Sequence, residues 1–262
     1  MRKSFSVSAI RFRNYLMGLL SDRQLIRLKY FFIFRRFPDL DHPKTYNEKI
    51  QALKLIQTDP IFSELSDKFA VRDFIAEKIG KSVLVELYWQ GKSARDIPFE
   101  TLPEKFVIKC AHGTSFNIFV RDKAALDIPE TVRTLDQWMG VDYSIAGREL
   151  HYRNIEPRII VEELLEDPLF PVIVDYKIHC FDGEPDFIQI DIGRFGDHRR
   201  IFIDPKGNRL DFYMGNQPGY EGMFDLPKPE RLETMVGYAR LLSAGFPLMR
   251  VDLYCVSDRI YF

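Results

Sequence analysis

The spacing of the apolar residues changes at Gly80, and this change limits the possible fold more than any other feature of the chain. Before Gly80, apolar residues recur at helical spacing, and Thr45 with Glu48 forms a capping box ahead of one segment. After Gly80, short runs of β-branched and aromatic residues predict strands, and Asp182-Gly183 between two of them predicts an antiparallel hairpin. The predicted helices are residues 9–20, 24–37, 47–56, 60–79, 129–139 and 229–242. The predicted strands are residues 82–88, 106–110, 117–120, 158–165, 172–181, 186–195, 200–203, 249–256 and 259–262, so we expect the α+β class.

The composition is that of a globular protein. The chain has 262 residues, of which 46% are hydrophobic and 29% charged, enough for one large domain or two lobes. No charge-free apolar run approaches the ~18 residues that a membrane span needs, and residues 15–20 lack the cleavage pattern of a secretory signal. Cys110, Cys180 and Cys255 have neither paired nor metal-ligand spacing. We therefore expect a cytoplasmic protein that does not cross a membrane.

The first 36 residues are strongly basic. Their only acidic residue is Asp22, and aromatic and aliphatic residues lie between the basic ones, as in helices that bind at a membrane surface. The segment could contact an anionic surface, such as the inner face of a membrane or an acidic polymer, or it could form the solvated faces of two ordinary helices. Nothing in the sequence indicates a nucleic-acid partner. The basic residues are Arg2, Lys3, Arg11, Arg13, Arg23, Arg27, Lys29, Arg35 and Arg36.

Residues 106–120 predict a strand, a small polar turn and a second strand. Lys109 comes just before the turn, which contains His112, Gly113, Thr114 and Ser115. Backbone N–H groups and hydroxyls of such a turn can bind phosphate oxygens, while the lysine supplies a positive charge. A lysine on an exposed strand is commonplace, however, and His112 fits a turn residue as well as a catalyst.

Charged residues also lie on the later predicted strands. Residues 159–167 run from an apolar strand into four acidic residues, which fits a strand leaving the core or a hinge that binds adenine. Asp175, Lys177 and His179 share one strand face, which could also be a solvated face of a sheet. Arg194 falls on the apolar face of the next strand, and an inward-facing arginine usually meets an anion.

The strand at 249–256 carries Arg250 and Asp252 on one face. These two could form an ion pair, or Asp252 could bind a metal. Considered as a set, the polar strand residues are the groups that a nucleoside-triphosphate site requires. The cations are Lys109, Lys177, Arg194 and Arg250, and the carboxylates are Glu162, Asp175 and Asp252.

Six short motifs, in order, resemble the TupA-like proteins of the ATP-grasp superfamily, which are associated with teichuronopeptide and bacterial surface-glycan biosynthesis. They are residues 46–50 (YNEKI), 66–72 (SDKFAVR), 102–109 (LPEKFVIK), 157–163 (PRIIVEE), 175–177 (DYK) with 181–183 (FDG), and 250–254 (RVDLY). The resemblance spans most of the chain. It implies an ATP-grasp fold in which two α+β lobes close on ATP. The implied division is a basic helical region at 1–59, a smaller lobe with a phosphate flap at 60–161, and a hinge with the C-terminal lobe at 162–262.

The resemblance also implies a role for each candidate residue. Lys68, Lys109 and the flap residues His112, Gly113, Thr114 and Ser115 would bind ATP phosphates. Glu162, Glu163 and Leu165 would form the adenine hinge, and Asp175 would bind the ribose. Lys177, Arg194 and Arg250 would contact phosphate or substrate during catalysis, and Asp252 would bind Mg²⁺.

The implied reaction is the ligation of a carboxylate to an amine through an acyl phosphate, with ATP and Mg²⁺ required. An amino acid joined to a glycan carboxylate of uronic-acid type is the expected product class. In ATP-grasp enzymes a second metal-binding Glu, commonly with Asn, lies on the strand after the first Asp. Residues 259–262 hold none, and Asp258 lies in a turn, so we expect the C-terminal lobe to be incomplete.

Two other functions fit the same setting. A glycosyltransferase would carry an Asp-x-Asp motif after a strand. Asp39 and Asp41 have that spacing, but they follow a predicted helix and precede Pro43, which favours a turn. The chain could also be a catalytically impaired partner that binds a nucleotide or a glycan.

Overall fold

The computed structural model describes residues 17–57, 59–167, 173–193, 198–211 and 231–262. The helices α1 to α7 are Asp22–Phe34, Tyr46–Ile56, Pro60–Ser66, Val71–Ile79, Ile128–Met139, Ser144–Gly147 and Leu232–Ser243. The strands β1 to β9 are Leu87–Gly91, Phe106–Cys110, Asn117–Val120, Ile159–Glu163, Asp175–Phe181, Glu184–Ile192, Arg199–Ile203, Leu248–Val256 and Arg259–Tyr261. Short 3₁₀ helices are present at Lys81–Val83, Ala94–Asp96 and Leu150–Asn154.

The described residues divide into two units. The first contains the described residues up to Val71 together with Leu87–Glu162. The second contains Arg72–Glu86 and the described residues of Glu163–Phe262. The structure therefore joins the described part of residues 17–57 to the first unit and residues 72–86 to the second. The predicted boundaries at 59/60 and 161/162 stay a prediction.

The first unit contains a four-stranded sheet in the order β1-β4-β2-β3. Its core consists of fully buried side chains such as Phe106, Ile108, Leu135 and Ile159. Strand β2 is buried at every position except Lys109, which is partly exposed. The sheet thus holds one cation at its surface, at the end of a strand that is otherwise fixed by the core.

The second unit contains an antiparallel five-stranded sheet in the order β7-β6-β5-β8-β9. Helix α7 packs on one face, where the Cys180 thiol lies 3.9 Å from the Ala239 carbonyl oxygen. Because strand side chains alternate between faces, Ile178 lies on that side, and Asp175, Lys177 and His179 lie on the other. All of these side chains are buried.

Local signals predicted several elements correctly. The capping box of α2 is confirmed, and the Thr45 N–H with the Arg36 guanidinium lowers the pKa of Glu48 to about 2. Strands β2 and β3 have the predicted bounds. The hairpin at Asp182-Gly183 is also confirmed, with φ angles of 49° and 82°.

Two element predictions were wrong. Residues 60–79 form two helices rather than one, because Asp67 accepts the backbone N–H of Phe69 at 2.8 Å and so competes with helical bonding. Residues 82–88 are mostly not a strand: Lys81–Val83 is a 3₁₀ helix, and β1 begins only at Leu87. The predicted helix at 9–20 lies largely outside the described residues, as does the start of the one at 229–242.

The structure describes all three cysteines and seven α-helices. Within the described residues Cys110, Cys180 and Cys255 are not joined in disulfides, and the first two are buried. Among the helices of the described residues, none combines the length and the apolar character that crossing a bilayer requires.

Candidate functional site

The Lys68 side chain holds the loop between β2 and β3 in position. The Lys68 ammonium donates to the carbonyl oxygens of Cys110, at 3.3 Å, and Gly113. Burial and the nearby charge of Lys109 lower the pKa of Lys68 to about 8. The amino group thus contacts the backbone of the loop and holds the loop in position. The phosphate-binding role expected for Lys68 stays a prediction.

The contact with Lys68 determines the direction of a backbone N–H group in the loop. In a trans peptide the C=O and the next N–H point in opposite directions, so the bond from Lys68 to the Gly113 carbonyl directs the Thr114 N–H away from Lys68. Ser115 has a left-handed φ of 64°. Within the described part of the chain, the N–H groups of Thr114 and Ser115 have no acceptor. The loop therefore presents two backbone donors that an anion could accept.

Aromatic side chains support the other side of the loop. The Phe116 ring stacks on Trp138, with centroids 5.3 Å apart, and Tyr143 packs edge-on against Phe116 at 5.9 Å. The Tyr143 hydroxyl contacts the Thr114 hydroxyl. His112 is buried and its Nε2 lies 3.1 Å from the Trp138 carbonyl oxygen. Burial lowers the pKa of His112, so it is neutral at pH 7 and acts in this structure as an anchor of the loop.

Gly113 lies where a side chain would collide with these rings. A Cβ added at Gly113 would come within 2.7 Å of Phe116 and 3.0 Å of Tyr143, and Phe116 is held by its stack on Trp138. We expect Gly113→Ala to reduce stability by about 1–3 kcal/mol, the usual cost of overpacking, in urea unfolding. Gly237→Ala is the matched control, because a Cβ there meets nothing within 4 Å in α7 and should be neutral or slightly stabilising. Equal effects of the two substitutions would contradict this account of the loop.

Lys109 lies next to the loop and is paired with a carboxylate. Its Nζ donates to Glu162 Oε2 at 2.7 Å, and the exposed fractions of the two side chains are 24% and 6%. The partly exposed ammonium can still reach a ligand, while Glu162 fixes its position from the buried side. The structure thus brings together Lys68, Lys109, Glu162 and the loop in the first unit.

The polar sheet face of the second unit centres on Lys177. Its Nζ lies 2.9 Å from Asp175 Oδ2 and 2.8 Å from Asp191 Oδ2, and all three side chains are almost fully buried. Cross-strand pairing explains this, since Asp175 lies opposite Asp191 in the β5–β6 ladder. Asp175 and Lys177, both predicted from the sequence, are therefore in direct contact.

Asp191 was not among the predicted site residues. It accepts from Arg200 Nε at 2.6 Å and from Gln189 Nε2 at 2.8 Å, and His198 Nε2 lies 3.1 Å away. Burial acts to raise the pKa of Asp191, but the bonds from Arg200 and Lys177 outweigh it and hold the pKa well below its usual range. A signal was present in the sequence: Asp191 alternates with apolar neighbours and so shares the polar face of β6.

The remaining part of this face belongs to β8 and β5. Arg250 donates to both oxygens of Asp252, at 2.6 and 2.8 Å, so the ion pair considered from the sequence is present. His179, the cross-strand partner of Arg250, stacks on Phe187 with ring centroids 4.2 Å apart. Burial and the Arg250 charge lower the pKa of His179 to about 4, which makes it a neutral member of the face.

Of the other predicted residues, Glu163 and Leu165 lie in the second unit, and Arg194 lies outside the described residues. Glu163 and Leu165 are partly buried, and the Glu163 N–H donates to the Glu86 carbonyl oxygen at 2.9 Å. Asp258 lies in a turn, as expected, with a φ of 63°, and its carboxylate binds Arg231 at 2.9 and 3.0 Å.

On the polar sheet face of the described residues, Asp191 and Asp252 already have cationic or amide partners. Across the ranges that the structure describes, there is no group of three or more His, Cys, Asp or Glu that could hold a metal ion. Both Asp252 oxygens accept from Arg250, and Asp191 is enclosed by cationic and amide donors. The assignment of Asp252 as a Mg²⁺ ligand stays a prediction.

Comparisons of sequence and of structure relate the chain to known proteins. The sequence model of the family described as TupA-like ATPgrasp matches residues 48–262. No curated protein sequence matched the chain.

Solved structures similar to the chain include three ligases. A D-alanine–D-alanine ligase from Bacillus anthracis is 13% identical with a TM-score of 0.46, over 92% of this chain and 82% of that one. An L-amino acid ligase from Bacillus licheniformis is 13% identical with a TM-score of 0.45, over 82% and 46%. The ligase PsnB with a minimal precursor, Mg and ADP is 12% identical with a TM-score of 0.38, over 82% and 55%.

The chain spans about half the length of several of these structures, including 53% of the ATP complex of the B. anthracis enzyme. The family match, in contrast, covers most of the chain and confirms the predicted α+β ATP-grasp fold. The chain belongs to the TupA-like ATP-grasp family.

Proposed function

We propose that the chain is an ATP-dependent ligase that joins a carboxylate to an amine. In the first step a carboxylate oxygen attacks the γ-phosphorus of ATP, the bond to the β-phosphate oxygen breaks, and ADP leaves. In the second step the amine nitrogen attacks the acyl carbon, the bond to the phosphate oxygen breaks, and the amine loses a proton. An amide, ADP and phosphate result.

The β2–β3 loop is the observation that carries this proposal. The N–H groups of Thr114 and Ser115 have no acceptor in the described part of the chain, and the Thr114 N–H points away from the Lys68 anchor. Lys109 lies beside the loop with its charge partly exposed. This combination suits the phosphates of ATP, since backbone donors bind phosphate oxygens and a fixed cation neutralises their charge. Family membership supports the same assignment.

Within the second unit, the polar sheet face carries cations that could stabilise negative charge. Lys177, Arg200 and Arg250 are each held by a carboxylate, so their positions are set before any substrate arrives. Electrostatic stabilisation by groups that need not reorganise is a major source of catalysis. No nucleophile on the protein is required by this mechanism.

The finer assignments are part of the same proposal. A glycan carboxylate of a surface polysaccharide, or of its precursor, would be the acceptor, and an amino acid would supply the amine. A cytoplasmic location with peripheral membrane contact suits a polymeric or lipid-linked acceptor. For the alternative glycosyltransferase function, Asp39 and Asp41 are the critical residues, but Asp39 accepts the N–H groups of Asp41 and His42 in a turn.

The test measures ADP, phosphate and coupled product in one assay. The chain is incubated with ATP, Mg²⁺, a glucuronic-acid oligomer and a panel of amino acids, with each component omitted in turn. ADP release that needs both the oligomer and an amino acid, together with an amide detected by mass, supports the ligase. A phosphorylated oligomer formed without an amino acid would mean a kinase. Transfer from a sugar nucleotide without ATP would mean a glycosyltransferase.

A further inference from the structure

The C-terminal half of helix α1 exposes several apolar side chains to solvent. Leu25, Ile26 and Tyr30 are buried and attach the helix to the first unit. The C-terminal half of the helix and the residue Phe37 beyond it expose a second apolar set, which we call the α1 surface. Its members, with exposed fractions, are Leu28 (40%), Phe32 (60%), Ile33 (72%), Phe34 (41%) and Phe37 (54%).

Basic residues are interleaved with this apolar set. Arg27 and Arg35 are exposed, and the Arg27 guanidinium lies 5.3 Å from the centroid of the Phe37 ring. Lys29 is partly exposed on the same helix. Neither Arg27 nor Arg35 forms an ion pair with an acidic group of the described residues, so their charge is not neutralised by the protein.

The charged groups next to this surface form ion pairs with other residues. Arg36 donates to Glu48 at 2.6 Å and to the Tyr30 hydroxyl at 3.0 Å. Arg23 is paired with Asp41. Asp22, the single acidic residue of α1, lies 3.2 Å from Arg148. The α1 surface is therefore positive as well as apolar.

We propose that the α1 surface docks the protein on an anionic lipid bilayer. Phe32, Ile33 and Phe37 would enter the boundary between the head groups and the acyl chains, and Arg27 and Arg35 would bind lipid phosphates. A bilayer supplies an apolar layer and a continuous negative charge within a few ångströms of each other, which matches the interleaved pattern. A protein partner would have to reproduce both features at the same spacing.

The proposal concerns attachment and is independent of ligase activity. Binding to lipid by this surface would hold whether or not the chain hydrolyses ATP. It is therefore tested without nucleotide. A negative result would remove the peripheral membrane contact from the proposed function and would leave the proposed ligase reaction unaffected.

The experiment is co-sedimentation of the full chain with vesicles. One set is phosphatidylcholine alone, and the other contains about one third phosphatidylglycerol to provide the anionic charge. We expect binding to the anionic vesicles only, and weaker binding as salt is raised.

Two double variants separate the apolar from the charged contribution. Phe32→Ser with Ile33→Ser, and Arg27→Gln with Arg35→Gln, should each weaken binding about tenfold or more. Leu241→Ser on α7 and Arg133→Gln on α5 change exposed residues elsewhere, and these variants should bind like the wild type. Circular dichroism of each variant checks that the fold is kept.

Three outcomes would overturn the proposal. One is the absence of binding to anionic vesicles. Another is binding that the Phe32 and Ile33 substitutions leave unchanged. The third is a wild-type dimer in analytical ultracentrifugation that the same double variant converts to a monomer without any effect on vesicles, which would assign the surface to self-association.

Discussion

Lys109→Met is expected to weaken ATP binding about tenfold to a hundredfold, measured by isothermal titration calorimetry. The ammonium is the partly exposed cation beside the β2–β3 loop, and a hydrogen bond from a charged donor contributes about 1.5–3 kcal/mol. Methionine keeps most of the side-chain length and removes only the charge and the donors. The loop N–H groups remain, so residual binding should persist.

Folding and binding must be separated in this experiment, because Lys109 also neutralises a buried carboxylate. Removing it alone leaves Glu162 unpaired, with a side chain only 6% exposed. The double variant Lys109→Met with Glu162→Gln removes that unpaired charge and should recover stability without recovering ATP affinity. Lys92→Met is the matched control, since Lys92 forms an exposed ion pair with Glu156 in the same unit. ATP binding of the double variant at the wild-type level would contradict the assignment of Lys109.

Short-range patterns explain what the sequence could predict. The capping box of α2 and the Asp182-Gly183 turn depend on residues at most three positions apart, so their physics is contained in the local sequence. Strand alternation likewise placed Asp175 and Lys177 on one face. The residue types at the loop, Lys109 with Thr114 and Ser115, also indicated anion binding before the fold was known.

Other features could not be predicted from the sequence, because they depend on contacts between residues that are far apart along the chain. Lys68 meets carbonyl groups 42 and 45 positions further along the chain, so its role as an anchor depends on how α3 and the β2–β3 loop pack. Asp191 joins Lys177 and Arg200 only after β5, β6 and β7 pair in register. The residue types alone did not indicate Arg200, which meets Asp191 once β6 and β7 are paired.

The same network predicts the second large effect, from Asp191→Asn. Asp191 is 2% exposed and neutralises the buried Lys177 and the partly buried Arg200. The amide would leave Lys177 with Asp175 as its carboxylate partner and would remove the charge that Arg200 meets at Asp191. We expect a loss of about 3–5 kcal/mol in the free energy of unfolding at pH 7, measured with urea. Asp186→Asn, which changes an exposed carboxylate on the same strand, should have little effect.

The pH dependence of this loss identifies its electrostatic origin. The pKa of Asp191 is lower in the folded protein than in the unfolded chain, where it is about 3.9. The carboxylate therefore stabilises the fold above about pH 4, and the contribution is lost as the pH falls, by up to about 1.4 kcal/mol per pH unit. The difference between wild type and Asp191→Asn should accordingly be constant from pH 5 to 7 and should shrink below about pH 4. A difference in the free energy of unfolding that persists unchanged to low pH would mean that Asp191 acts through packing and not through its charge. Lys177 and Arg200 would then lack the fixed counter-ion that the ligase proposal gives them.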